Sequence, residues 1–143
     1  MNRIIKKFQG YPFAHRQPNH DGHCALIHGH NWDFTVELEA ADDQLDENDF
    51  VYDFGKFKFL KGWFTEMFDH TCLINASDPR LEEFRTMHAS GLMNLKVVPS
   101  ASAEGLAKLI FNQIINNYDL GKAKLVSVTV HEDYKNSAVY SAK

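Results

Sequence analysis

Cysteine is scarce: the chain of 143 residues has only two, Cys24 and Cys72. Neither stands in a CxxC, and two are too few for a disulfide framework, which excludes the small stapled folds. Long apolar runs are missing as well. None approaches the roughly 20 residues of a membrane span, and no apolar stretch of the signal-peptide kind follows Met1. The expectation is a cytoplasmic protein with reduced thiols and no membrane partner. An excess of basic residues is also lacking. Lys and Arg total 15 against 19 Asp and Glu, a formal charge of −4, so nucleic acid and anionic lipid, which demand clustered cations, are not expected partners. A local pocket for a small phosphorylated ligand remains compatible with that balance. The sequence has no internal repeat and no low-complexity tract, and its length is that of one domain able to bury a core. Residues 1–143 are therefore read as a single domain.

Histidine is what the chain has in plenty. There are eight, and five of them (His15, His20, His23, His28 and His30) fall within sixteen residues. The clearest strand pattern starts inside this cluster. Positions 28, 30, 32, 34, 36 and 38 are His, His, Trp, Phe, Val and Leu, and the alternates from Asn31 to Glu39 are polar. Residues two apart in a strand share a face, so His28 and His30 project together from the apolar side. Upstream, Tyr11, Phe13 and His15 share a face in the same way, within a first strand from Arg3 to His15. Pro12 cannot donate to a ladder, which predicts an edge or bulged strand there. Arg16 to Gly22 reads as a polar loop.

Beyond the acidic loop Asp42–Asp49, Phe50-Val51-Tyr52 reads as a returning strand. Asp53 is a helix cap, and Phe57, Leu60, Phe64, Met67 and Phe68 follow at helical spacing. This helix should end near Asp69-His70. A short helix is expected from Asp78-Pro79 to about His88, with Ser90-Gly91 as its stop, then a short strand over Leu95–Val98. Ser102 caps a second long helix with Gly121 as its stop. Two last strands are expected at Leu125–Glu132 and Ala138–Tyr140. Segregated helices and hairpin-linked strands predict an α+β fold with an antiparallel sheet.

Several groups could carry chemistry. An HxH pair on a strand can be merely structural, but His15 at the end of a neighbouring apolar face supplies a third imidazole. Three neutral imidazoles with an open fourth position make a catalytic zinc arrangement. Cys24 admits three readings: a small packed hydrophobe, a further ligand that would close the site, or a thiolate base beside the metal. Cys72, just after a helix, is read as packing. Asp69-His70 is either an exposed helix end or a proton shuttle. Glu104 sits in a helix's first turn, where a carboxylate is favourable without any function. Glu132 ends a valine face, and a carboxylate there calls for a partner such as the planar amidine-like edge of a ligand.

Taken together, His15, Cys24-xxx-His28-Gly29-His30, Asp69-His70, Ser102-Ala103-Glu104 and Glu132 resemble the 6-pyruvoyltetrahydropterin synthase / 6-carboxytetrahydropterin synthase family. The similarity runs from about Phe8 to Tyr140. It implies the tunnelling fold, a four-stranded antiparallel sheet with two helices on one face. It implies homo-oligomers in which trimers close barrels and two trimers stack into a hexamer. It further implies Zn2+ on His15, His28 and His30, with Cys24 as general base, assisted by Asp69 and His70 from a neighbouring subunit. Glu132 would hold the 2-amino and N3–H edge of a pterin and count with the catalytic proton-relay group, with Ser102 and Glu104 at the substrate site.

The implied substrate is 7,8-dihydroneopterin triphosphate, for whose phosphates Arg16 and several lysines are available. One branch of the family yields 6-carboxytetrahydropterin, acetaldehyde and triphosphate on the queuosine (7-deazaguanine) route. The other stops at 6-pyruvoyltetrahydropterin, for tetrahydrobiopterin. The first is the expectation here and the second the alternative. A non-catalytic zinc or pterin-binding protein is a remoter one, since simple binding needs none of Cys24, Asp69 and His70. Three departures stand out. Ala101-Ser102-Ala103-Glu104 replaces the usual Pro-Thr-x-Glu, Asp133 follows Glu132 in place of threonine, and the 76–98 stretch is longer than in the smallest members.

Overall fold

In the computed structural model, which describes residues 1–143, the alternation beginning at His28 becomes β2, His28–Ala40. Its even positions Trp32, Phe34, Val36, Leu38 and Ala40 are all buried. β2 pairs antiparallel with β1, Asn2–His15, on one side and with β5, Lys124–His131, on the other. β6, Ser137–Ser141, closes the antiparallel set beyond β5. With both edges of β2 occupied, no edge is left for a strand over 50–52, and none forms. Asp46 instead accepts the Asn48 and Phe50 amides and folds the segment into a turn.

β1 changes face midway. Phe8 is buried from an even position, and Tyr11, Phe13 and His15 are buried from odd ones. The switch is a bulge between Phe8 and Tyr11, where Gly10 adopts φ +83° and its N–H donates to Asp33 at 2.8 Å. That left-handed conformation suits glycine. Pro12 lies in an interior strand, not an edge. Its carbonyl accepts the His70 amide on the β3 side, so its missing N–H also points there, one residue before β3 pairing begins at Phe13.

The sheet is larger than the expected four strands. β3, Thr71–Asn75, pairs parallel with the end of β1, and β4, Leu95–Val98, pairs parallel with β3, giving the mixed order β4-β3-β1-β2-β5-β6. Residues 71–74 of β3 are all buried, on both faces. Such a strand shows no alternation, so periodicity does not reveal it.

Two helices lie on one face, as expected. α1, Lys58–Phe68, follows a 3₁₀ turn that Asp53 caps through Gly55 N–H, and buries Leu60, Phe64 and Phe68. α3, Ala103–Asn117, is capped by Ser102 and buries Leu106, Ala107, Ile110, Phe111 and Ile114. It ends before Gly121, which turns the chain at φ +60°. Phe13 stacks on Trp32 and Phe34 on Phe64, with centroids 4.3 and 4.8 Å apart, in the core beneath these helices. A third helix, α2, Leu81–Ala89, sets Phe84 against Cys72 and Ile74 in a separate small cluster with Ala14. Ala14 faces away from the main core, so α2 covers the opposite side of the sheet.

A candidate metal centre and its adjoining cleft

The β1–β2 register brings three histidines to one spot. His15 is the direct partner of His28, and Phe13 that of His30. Ring centroids lie 4.6 Å apart for His15 and His28, 5.1 Å for His28 and His30, and 5.6 Å for His15 and His30. Two rings have their tautomer set by a backbone carbonyl. His15 Nδ1–H donates to Ala101 O at 2.7 Å, and His28 Nδ1–H donates to Leu26 O at 2.8 Å. Each Nε2 is then left as a lone pair, the usual state of a metal-binding imidazole whose other nitrogen is held by an outer partner.

His15 is only 3 % exposed, and its Nε2 has no hydrogen-bond partner; the same holds for the buried His30 Nε2. Burial pushes the His15 pKa below the ordinary histidine value, outweighing the opposite pull of the Ala101 carbonyl. The ring is thus neutral and able to ligate. Glu132 Oε1 lies 2.8 Å from His30 Nε2, outside hydrogen-bonding alignment, and 3.8 Å from His15 Nε2. The ligand atoms of His15, His28, His30 and Glu132 all lie within 4.8 Å of one another. Orphaned buried imidazole nitrogens grouped around a carboxylate fit a divalent ion of the zinc class. Glu132, placed by sequence at a ligand's edge, here faces the corner that three histidines leave open, one residue past the end of β5.

Cys24 is not part of that group. It sits on a 3₁₀ turn, His23–Ala25, half-buried, and lines a cleft of about 460 Å³ together with His15, His28, Glu132, Ser102 and Glu104. Ser102 Oγ accepts the Gly105 amide and lies 2.9 Å from Ser100 Oγ. His20, read as a loop residue, also borders this cleft. Cys72 is buried on the sheet, and burial pushes its pKa up to about 11, which fits packing and not reaction.

Asp69 and His70 do not reach this cleft within their own chain. His70 Nδ1–H donates to Asp69 at 2.6 Å, and their side chains are 83 % and 42 % exposed for His70 and Asp69 respectively. His70 has φ +56°, uncommon for a residue with a Cβ, so the pair is presented outward at some local cost.

Sequence reading missed two supports. Asn75 Oδ1 accepts the Ala101 amide at 2.7 Å, fixing the carbonyl that orients His15. Arg16, among the candidates for binding phosphates, is engaged elsewhere: it grips Asp78 through Nε and Nη2 at 2.7 and 2.8 Å. The Arg16 bond holds the Asp78 carboxyl below its usual pKa. No periodicity marks these contacts, because β3, which delivers both Asn75 and the turn after it, has none. A wider surface hollow of about 660 Å³ beside Tyr52, Trp63 and Tyr118 contains no histidine or thiol.

Residues 4–143 match the family model described as 6-pyruvoyl tetrahydropterin synthase. The chain is similar to the 6-carboxy-5,6,7,8-tetrahydropterin synthase of Aquifex aeolicus, with 31 % identity over 82 % of this chain and 75 % of that protein. Among solved structures, an uncharacterized protein of Wolinella succinogenes superposes with a TM-score of 0.86 at 19 % identity, covering 99 % of this chain and 98 % of the other. The 6-pyruvoyl tetrahydropterin synthase of Caenorhabditis elegans superposes with 0.65 at 22 %, covering 100 % and 98 %. At these identities the structural likenesses establish the α+β tunnelling fold alone.

Proposed function

We propose, from the premise that this chain belongs to the 6-pyruvoyl tetrahydropterin synthase family, that it is a zinc-dependent 6-carboxy-5,6,7,8-tetrahydropterin synthase. Its substrate would be 7,8-dihydroneopterin triphosphate, and its products 6-carboxytetrahydropterin, acetaldehyde and triphosphate, on the route to queuosine. The observation that carries the reading is the unpartnered, buried Nε2 of His15 and of His30, with His15 lining the same cleft as the half-exposed Cys24 thiol. The name of the Aquifex aeolicus relative favours the carboxy branch.

The roles divide by chemistry. His15, His28 and His30 would hold zinc, which when bound polarises the hydroxylated side chain of the substrate. Cys24, near that metal but outside its ligand group, takes up the proton removed from the side chain. Glu132 accepts hydrogen bonds from the 2-amino and N3–H edge of the ring, turning from the position it has beside His30 to do so. Ser102 and Glu104 line the substrate's path.

Asp69 and His70, directed outward on their own chain, relay protons at a neighbouring subunit's cleft. On this reading the working form is a homo-oligomer, a hexamer built as a dimer of trimers, from one domain spanning 1–143, in the cytoplasm. Oligomers of this kind also explain why a hydrogen-bonded Asp–His pair is held in a strained turn with its imidazole in solvent.

The test is a product assay. Zinc-loaded protein given 7,8-dihydroneopterin triphosphate should release acetaldehyde and triphosphate together. Release of triphosphate with accumulation of the pyruvoyl product supports the second branch, which the family description favours by name. No triphosphate release would leave a binding protein and sink both.

A further inference from the structure

We propose that Arg16 and Asp78 form a clamp that positions the Cys24 thiol, and that holding this clamp is a task of the chain between β3 and β4. The proposal rests on the reading of Cys24 as the proton-abstracting base. It gives a role to the 76–98 segment, for which the sequence offered none.

Arg16 uses three nitrogens. Nε and Nη2 donate to the two oxygens of Asp78 at 2.7 and 2.8 Å, the flat bidentate geometry of a guanidinium on a carboxylate. Nη1 donates to Ala25 O at 3.1 Å. The next residue along β1's continuation, Gln17, donates its backbone N–H to Cys24 O at 2.8 Å. The consecutive carbonyls of Cys24 and Ala25 are therefore both tied to the exit of β1, directly after His15. Two successive carbonyls fixed in this way hold the backbone of the turn, and with it the Cys24 Cα–Cβ bond, at the cleft that His15 and His28 line.

Asp78 is itself immobilised. Its N–H donates to Asn75 O at 2.9 Å, and its Oδ1 accepts the Arg80 amide at 2.8 Å at the entrance to α2. Its side chain is fully buried and that of Arg16 is 11 % exposed. Phe84 of α2 supplies part of the cover, its ring centroid 5.7 Å from the guanidinium carbon. Burial keeps water from loosening the pair, which makes its geometry stiff. Stability alone does not account for such a pair, since apolar side chains of like volume commonly replace a buried ion pair at no loss. Position does account for it: the fork grips both carboxylate oxygens in one plane while a further N–H reaches the backbone, a geometry that an apolar side chain lacks and that a lysine, with all its donors on one nitrogen, does not reproduce.

The turn that carries Asn75 and Asp78 thus has two arms. Asn75 acts on Ala101 and through it on His15. Asp78 acts on Arg16 and through it on the thiol turn. Arg16 is a positioning residue on this account and not a phosphate ligand.

The decisive variant is Arg16→Lys in the zinc-loaded full chain, which keeps a cation opposite Asp78 and removes the fork. Two readings are taken at one pH: the rate at which iodoacetamide alkylates Cys24, with buried Cys72 as internal reference, and kcat and KM with 7,8-dihydroneopterin triphosphate. Cys24 should be alkylated about 5-fold faster or more. kcat should fall by about 10-fold or more with KM changed less than about 3-fold, since a small misplacement of a reacting group acts mainly on the chemical step. Should Arg16→Lys fail to fold, Arg16→Met combined with Asp78→Leu removes both charges together and takes the same readings. Alkylation at the wild-type rate in a folded variant overturns the clamp, and so does faster alkylation with undiminished kcat. Alkylation needs no turnover. A wild-type protein that leaves the pterin untouched would overturn the functional reading, while the alkylation rates would still decide the clamp.

Discussion

His15 and His28 are direct cross-strand partners, their rings 4.6 Å apart and each locked by a carbonyl on its Nδ1. Neither side chain can turn its Nε2 elsewhere without giving up that bond, so the two lone pairs converge before any ion arrives. Preorganisation of this kind lowers the cost of binding a metal.

The support behind His15 is therefore measurable. Asn75→Ala frees the Ala101 amide and loosens the carbonyl that holds the ring. Zinc affinity, read by competition with a chromogenic chelator, should weaken by up to about 10-fold, the low end of the loss for a direct outer partner of a metal ligand, since Asn75 acts on His15 through Ala101. An unchanged affinity would show that the Ala101 carbonyl keeps its place on His15 without Asn75.

Cys24→Ala and Glu132→Gln should separate metal holding from chemistry. Cys24 lies outside the ligating group, so its variant should retain wild-type zinc content by elemental analysis while turnover falls about 100-fold or more. Glu132→Gln should retain zinc on three histidines and raise KM through the lost pterin contact. Loss of zinc from the glutamine variant would make Glu132 a resident ligand instead.

Acid stability should carry the mark of Asp78. Its folded pKa is lowered from 3.8 by Arg16, so below 3.8 the unfolded chain takes up a proton that the folded chain refuses. Stability from this group is present above about pH 3.8 and is lost as pH falls through the lower, folded value. Denaturant melts across that window should fall more steeply for the wild type than for Arg16→Met combined with Asp78→Leu. Parallel slopes would count against the pair as an acid-sensitive element.

Gly105→Ala probes the loop that carries Ala101. An added Cβ would lie 2.5 Å from Ser100 Cβ and 2.7 Å from its carbonyl oxygen, and backbone cannot yield cheaply. The substitution should destabilise by about 1–3 kcal/mol, read as a lowered thermal midpoint, and should weaken zinc binding by moving Ala101. A midpoint at the wild-type value would mean that the loop shifts freely.

Sequence alone determined a good part of this protein. Alternation places His28 and His30 on the apolar face of β2 whatever surrounds it, because the period of a strand is two. Spacing of apolar residues likewise set α1 and α3, and Asp53 and Ser102 were legible as caps because side-chain oxygens satisfy the first amides of a turn. The tertiary structure decided the rest. Only the register brings His15 opposite His28, and only the Gly10 bulge, which reverses the parity of β1, lets Phe8 and His15 face the same core. β3 left no periodic trace, since it is buried on both faces, and so α2, Asn75 and the Arg16–Asp78 pair had no readable partner. A segment such as Phe50–Tyr52 carries strand-forming residues, yet no edge of β2 remained to receive it. Local pattern is written by covalent geometry and short-range contacts. Which edges are free, and which distant side chains then meet, depends on the whole chain having folded.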